Sequence, residues 1–484
     1  MSFCKIDNAL LTDLYELTMM QGYYIINLHQ RAVFEMFFRR QPFEGGFCIF
    51  AGLNPLIEAI TELKFKQEDI EYLRSLGMFK EEFLQYLKDF KFRGDVYAVD
   101  EGTVVFPNEP LIRIEGTLLE TQLIESLLLN IINFQTLIAT KTVRIVIAAN
   151  GGSVIEFGFR RAHGVDSALS GTRAAYIGGA VATSNVLASK IYNIPVKGTM
   201  AHSWVMSFGN EFVAFEKYAN LYKDNCIFLV DTYDTLKLGI PNAIKVMRKL
   251  KKEGRGGYGI RLDSGDLEYL SKEARKMLDR NDLKEATIIA SNELDEWIIN
   301  QIMKNGAPIN VWGVGSKLIT ADKDPWLTGV YKLVAITDGA KMEPVIKISN
   351  NPEKITNPGI KNIMRFYDRN GMMLGDLIYL EEEKEELLDI VNEKKAIRFN
   401  HPSIEHSFFI CSKYAKCKML LKLVVKNGKP TQKVISLNKI RDFALNDVKT
   451  LDPTCKRLIN PHIYKVSISD RLKMLKVNLL KNYL

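Results

Sequence analysis

From about residue 150 the chain settles into a rhythm of short apolar runs, each followed by a stretch of helical periodicity. The runs are SVIEF (153–157), IPVKGT (194–199), CIFLVD (226–231), YGIRLD (258–263), ATIIAS (286–291), INVWGV (309–314) and VYKLVAI (330–336), with helix candidates at 172–192, 241–253, 266–279 and 293–305. Strands that are apolar throughout and separated by helices read as parallel strands, because a parallel pair needs a long crossover and both sheet faces are then covered. Six or seven such units favour a closed or nearly closed α/β barrel, although a doubly wound open sheet satisfies the same periodicity.

The flanks read differently. Residues 1–115 mix an amphipathic helix (LLTDLYELTMMQGYY), strand-like AVFEMFF, FCIFAG and GDVYAVDEG, and glycine turns, an α+β pattern. After 345 come prolines, a hairpin-like FYDRNGMMLGDLIYL, the acidic run EEEKEE and mixed strands. The expected organisation is an N-terminal α+β region (1–115), an α/β barrel domain carrying the site (116–345) and a C-terminal α+β region (346–484) packing with the first.

Several classes of protein are disfavoured. Asp7, Asp13 and Glu16 interrupt the early apolar positions, as a secretory signal would not. The long apolar segment 117–139 carries Glu120 and Glu125, so no membrane span is expected and the cytoplasm is the expected location. Six scattered cysteines (Cys4, Cys48, Cys226, Cys411, Cys417, Cys455) make no disulfide framework. His401, His406, Cys411 and Cys417 are close enough in sequence to weigh as zinc ligands, but the cysteine spacing is wide and no CxxC is present, so buried thiols and surface histidines are expected. The 65 basic and 57 acidic residues leave +8, concentrated after about 410. That excess can steer anionic substrates, but it is too diffuse and too poor in aromatics for nucleic acid.

In a barrel, sites are built where strands end, at their carboxyl ends. The residues there are Glu156 with Arg160 and Arg161, Thr199 with His202, Asp231 with Thr232, Arg261 with Asp263, Ser291 with Asn292, and Gly313 with Gly315 and Ser316. Singly, each has a plain reading: Asp231 as a helix cap, the arginines as surface charge, His202 as a buried, hydrogen-bonded histidine. Together they describe a pocket for a sugar polyphosphate, with arginines and glycine-flanked amides for phosphate and aspartates for ribose hydroxyls or magnesium. His202 is the imidazole of that set, with His163 a lesser candidate. Ser203 and Trp204 beside it read as local packing.

The blocks LLTDLYELTMMQGYY, FFRRQPFEGGFCIFAGL, EFGFRRAHG, GTMAHSWVMSF, LVDTYDT, RLDSGDL and GVGSKLIT resemble, in order, those of the nicotinate phosphoribosyltransferase family, and the likeness extends over nearly the whole chain. The resemblance implies an irregular barrel of the type II phosphoribosyltransferase kind, with an α+β domain drawn from both chain ends. It implies a homodimer with shared active sites and Mg2+ as cofactor. The implied reaction transfers phosphoribose from phosphoribosyl pyrophosphate to nicotinate, coupled to ATP hydrolysis, as the first step of NAD salvage from nicotinic acid. By position it makes His202 the phosphorylated histidine, Tyr15 a ring stacked on nicotinate, and Thr199 and Arg261 nicotinate contacts. Ser316, where family members carry threonine, matches a phosphoribosyl pyrophosphate contact. Gly315, Arg160, Arg161, Asp231 and Asp263 are assigned to the same substrate and its metal. The alternatives are a related enzyme acting on nicotinamide or quinolinate, and a basic anion- or nucleic-acid-binding protein.

Overall fold

The structure is a computed structural model describing residues 8–482 except 29, 223, 352, 353 and 405, so Cys4 and Asp7 lie outside the described residues. It divides into two compact units, Ile138–Pro325 and a unit made of Met1–Leu137 with Trp326–Leu484.

The Ile138–Pro325 unit is built on six parallel strands: Ser153–Glu156, Ala182–Thr183, Cys226–Leu229, Tyr258–Leu262, Thr287–Asn292 and Val311–Val314. In space the 182 strand is followed by those starting at 153, 311, 287, 258 and 226. The last strand in sequence thus pairs with the first and the rest follow in order, which is the cyclic order of a barrel. A parallel bridge between Thr183 and Val196 adds one further edge. Among the described residues no pairing joins Val196 to Cys226, so the fold is an irregular α/β barrel with one open seam. Register places Glu156 beside Val314 and Thr183, Val314 beside Asn292, and Ala290 beside Leu262, so all the carboxyl ends share one rim.

Three expectations need correction. The 172–192 stretch is not one helix. It contains the end of helix Val165–Ile177, the strand Ala182–Thr183 and helix Val186–Tyr192, and the break falls at Gly178 and Gly179, the latter at φ +109°. IPVKGT forms only the bridge at Val196. VYKLVAI is no barrel strand: Gly329–Asp338 pairs antiparallel with Arg31–Phe38 in the other unit.

That unit holds a seven-stranded antiparallel sheet centred on Arg31–Phe38, Ile112–Thr117 and Gly329–Asp338, which takes in Lys422–Lys426 at one side. A six-stranded sheet pairs Lys361–Tyr367 with Met373–Leu380, the hairpin read in FYDRNGMMLGDLIYL, and takes Val466–Ile468 alongside. Strands from both chain ends therefore share one unit. Cys411 and Cys417 lie on opposite edge strands of the six-stranded sheet, and His401 Nδ1 accepts the backbone N–H groups of Ser403 and Ile404. Among the described residues no group of three metal-ligating side chains is gathered.

The helix Glu125–Ala148 is long and apolar enough to cross a membrane, which the acidic residues read at 117–139 did not anticipate: Glu120 precedes it and Glu125 stands in its first turn. Its apolar window is 72% buried in this structure. Farther along, Lys141 and Arg144 both pair with Glu296, at 2.7 and 3.0 Å, with all three side chains buried.

Candidate active site at the strand ends

Arg261 is the fourth residue of Tyr258–Leu262, where Ile260 and Leu262 are fully buried and Arg261 is half-buried on the alternate face. Its guanidinium is held at three points. Nε donates to Ser291 Oγ at 2.8 Å, one terminal nitrogen to Thr199 Oγ1 at 3.0 Å, and the other to Asp263 Oδ1 at 2.8 Å. Ser291 also donates to Asp263, and the Phe157 ring lies 5.7 Å from the guanidinium carbon. A planar fork fixed this way presents its charge in a defined plane.

His202 opens a short helix, His202–Ser207, just beyond the bridge. Its side chain is 40% exposed, which removes the buried reading. Nδ1 lies 3.1 Å from Thr232 Oγ1 and Nε2 lies 3.7 Å from Asp263 Oδ2. Thr199, Arg261, Asp263, His202 and Thr232 thus form one connected set across the open seam of the barrel. Trp204 packs against Phe208 and Tyr218 and donates to the Ala214 carbonyl, whereas Ser203 is exposed.

Asp231 does not cap a helix. Asp234 does that, accepting from the Lys237 N–H, while Asp231 Oδ2 accepts the Asp263 N–H at 3.0 Å and the Ser264 hydroxyl at 2.5 Å. Its other oxygen, Oδ1, is buried with no hydrogen-bond partner among the described residues. Such an atom carries a desolvation cost that a cation or a hydroxyl donor would remove.

The remaining candidates frame a second edge. Arg160 and Arg161 lie on the single turn Phe159–Arg161, both exposed and without a carboxylate partner among the described residues. Gly315 and Ser316 follow strand Val311–Val314 and pack on that turn's start: a Cβ on Gly158 would stand 2.9 Å from the Gly315 carbonyl, and one on Gly315 would stand 3.1 Å from the Phe157 carbonyl. Both glycines permit a close backbone approach that side chains would prevent. His163 is exposed beyond the turn.

Tyr15 belongs to the other unit, on helix Leu14–Ile25, and is 45% exposed. Burial raises its hydroxyl pKa, as do the charges of Glu125, Glu16 and Asp13, so it stays a neutral ring. Phe157 was not singled out from sequence. Its signal was present, since alternation puts a residue two past Ile155 on the same face of the sheet.

A parallel α/β barrel with arginine, aspartate, histidine and hydroxyl side chains on its carboxyl rim, joined in sequence to an α+β unit made from both chain ends, is the architecture of a phosphoribosyltransferase of the type II kind. Family models agree: the nicotinate phosphoribosyltransferase N-terminal domain matches residues 10–133, the family model 153–384 and the C-terminal domain 360–476. The chain is 45% identical to the nicotinate phosphoribosyltransferase of Bacillus subtilis, over 96% of this chain and 93% of that one. It is 31% identical to the Homo sapiens enzyme of that name, over 96% and 95%. The crystal structure of human nicotinic acid phosphoribosyltransferase superposes with a TM-score of 0.81 at 28% identity, covering 97% of this chain and 99% of that one. A nicotinate-nucleotide pyrophosphorylase from Pyrococcus furiosus shares the fold, with a TM-score of 0.70 at 22% identity over 93% of this chain and 98% of that one. The chain belongs to the nicotinate phosphoribosyltransferase family.

Proposed function

We propose that the protein transfers phosphoribose from phosphoribosyl pyrophosphate to nicotinate, forming nicotinate mononucleotide and pyrophosphate with hydrolysis of ATP to ADP and phosphate, as the first step of NAD salvage from nicotinic acid. The observation that carries this reading is the fixed guanidinium of Arg261, flanked by Thr199 and the Phe157 ring. A guanidinium pairs with a carboxylate through two charge-assisted bonds and has no such match in a carboxamide, which favours nicotinate over nicotinamide.

In the transfer step the C1–O bond to pyrophosphate breaks with its electron pair leaving on pyrophosphate, and the pyridine nitrogen lone pair forms the new bond to C1. Little nucleophilic push is needed, so the protein contributes position and charge. Arg160 and Arg161, without a carboxylate partner among the described residues, are suited to phosphate oxygens, and the Gly315–Ser316 turn offers backbone N–H groups and a hydroxyl beside them. Asp231, with its unpartnered Oδ1, and Asp263 fit the habit of Mg2+, which takes one or two carboxylates together with substrate phosphates. That ion would neutralise the leaving pyrophosphate.

His202 is the proposed phosphoryl acceptor. A ring nitrogen lone pair attacks the γ-phosphorus of ATP, ADP departs, and water later hydrolyses the N–P bond to release phosphate. Asp263 near Nε2 stabilises positive charge on the ring as the bond forms. Homodimerisation with shared sites is supported by the exposed apolar residues Leu14, Tyr15 and Met19 on one helix, where Tyr15 would stack on the pyridine. The cytoplasm is the proposed location.

The test is to supply nicotinate, nicotinamide or quinolinate with phosphoribosyl pyrophosphate and Mg2+, with and without ATP, and follow mononucleotide formation. Nicotinate alone should give product, faster with ATP. Product from nicotinamide but not nicotinate would refute the assignment. His202→Ala should take no label from γ-labelled ATP.

A further inference from the structure

Glu156 closes strand Ser153–Glu156 with a carboxylate that none of the steps above uses. It is 1% exposed and has no cation partner among the described residues. Oε2 accepts the Thr183 hydroxyl at 2.6 Å and lies 3.0 Å from the Thr172 hydroxyl, which is shared with the Ala168 carbonyl at 2.8 Å, and Oε1 accepts the Gly158 N–H. Burial pushes its carboxyl pKa up, against the pull of those three bonds. A buried acid without a counter-ion is costly, and an apolar side chain would fill the space at less cost.

Each donor belongs to a different element near the carboxyl rim. Gly158 starts the turn that carries Arg160 and Arg161. Thr172 lies on the helix that follows it, Val165–Ile177. Thr183 ends the neighbouring strand, and its backbone N–H donates to the Pro195 carbonyl at 3.0 Å while its carbonyl accepts the Lys197 N–H at 2.9 Å. That bridge holds the segment leading to Thr199 and His202, whose backbone is paired on one side only among the described residues, the far side being met by the side chains of Arg261 and Thr232 alone. Its placement therefore depends on Thr183, and the orientation of Thr183 depends on Glu156.

We propose that Glu156 is a positioning residue that ties the arginine turn to the histidine segment, so that the phosphate-binding and phosphoryl-accepting parts of the site are set by one buried carboxylate. The inference rests on the roles given above to Arg160, Arg161 and His202. Glu156→Gln keeps the shape but gives up one acceptor oxygen: its NH2 meets either the Gly158 N–H, which can only donate, or the threonine hydroxyls, which must then turn away as donors.

The full-length wild type, Glu156→Gln, Thr183→Val and the double variant are compared, with folding checked by circular dichroism and melting. The readouts are calorimetric binding of inorganic pyrophosphate with Mg2+, KM for each substrate, kcat, and uptake of label from γ-labelled ATP. In each single variant, pyrophosphate affinity and KM for phosphoribosyl pyrophosphate should worsen about tenfold while kcat changes less than about threefold, as expected of displaced binding groups. Label uptake should slow in both, and the double variant should be no worse than the weaker single one. Folded variants with wild-type pyrophosphate affinity and label uptake, or with effects that add, overturn the proposal. Should Glu156→Gln fail to fold, Thr183→Val decides by the same readouts. A wild type that makes no mononucleotide counts against the proposed reaction, while pyrophosphate binding still reports on Glu156.

Discussion

Arg261 shows how much a single residue can be asked to do at a strand end. Its three hydrogen bonds, to Ser291, Thr199 and Asp263, freeze a long side chain whose ordering would otherwise be paid at each binding event. Lysine keeps the charge and loses the fork, so Arg261→Lys leaves Ser291 and Thr199 without their donor and offers a carboxylate one point of contact. Loss of a charge-assisted bond costs about 1.5–3 kcal/mol, so KM for nicotinate should rise roughly 10- to 150-fold. KM for phosphoribosyl pyrophosphate should change little. Steady-state kinetics with each substrate varied in turn checks this, and an equal rise in both constants would mean that Arg261 supports the whole rim rather than one ligand.

At the scale of elements, the site depends on how closely neighbouring strands approach. A Cβ on Gly259 would fall 2.2 Å from the Thr287 carbonyl oxygen, a backbone atom of the adjacent strand. Gly259→Ala must therefore part strands Tyr258–Leu262 and Thr287–Asn292, the pair that sets Arg261 against Ser291. The expected loss of stability is about 1–3 kcal/mol, read from denaturant midpoints, with a rise in KM for nicotinate as the second sign. Unchanged midpoint and kinetics would show that the strands accommodate the methyl group. The same scale explains what was legible in the sequence. Strand ends were, because apolar runs stop abruptly at Asp231, Asp263 and Ser291. The open seam was not, because pairing between distant segments leaves no mark on the local periodicity of IPVKGT. Nor was the placement of VYKLVAI, whose apolar run reads alike in a parallel barrel and an antiparallel sheet. The joining of Asp263 to both Arg261 and His202 needed three dimensions, since residues 202 and 263 meet by side chains across the open seam.

At the scale of the whole molecule, the unit made from both chain ends is fastened by a buried ionic cluster. Arg365 is fully buried and grips Asp376 at 2.9 and 2.6 Å, with Asp447 at 3.6 Å and the Tyr464 hydroxyl donating to Asp376 at 2.9 Å. Asp447 also accepts the Val104 N–H at 2.8 Å, and the Tyr464 ring stacks on Phe106 with centroids 3.9 Å apart. Glu109, buried beside them, accepts the Phe106 N–H through one oxygen. Burial, then the negative charge of Asp376, pushes its carboxyl pKa well above the usual range, with the Arg365 charge and the Phe106 N–H pulling the other way. Lys418 adds positive charge near Asp447. The folded chain therefore holds the Glu109 proton at pH values where the unfolded chain, with its carboxyl near about 4.3, has released it. Stability then falls as pH rises from that value towards the folded pKa, by up to about 1.4 kcal/mol per pH unit, and is level above it. Glu109→Gln fixes the neutral form and supplies a donor to Asp376, so this contribution disappears. Melting curves from pH 5 upward should show the difference, wild type minus Glu109→Gln, declining until the folded carboxyl ionises and level beyond that point. Parallel curves for the two proteins would mean that Glu109 is ionised in the folded state, with Arg365 carrying its charge.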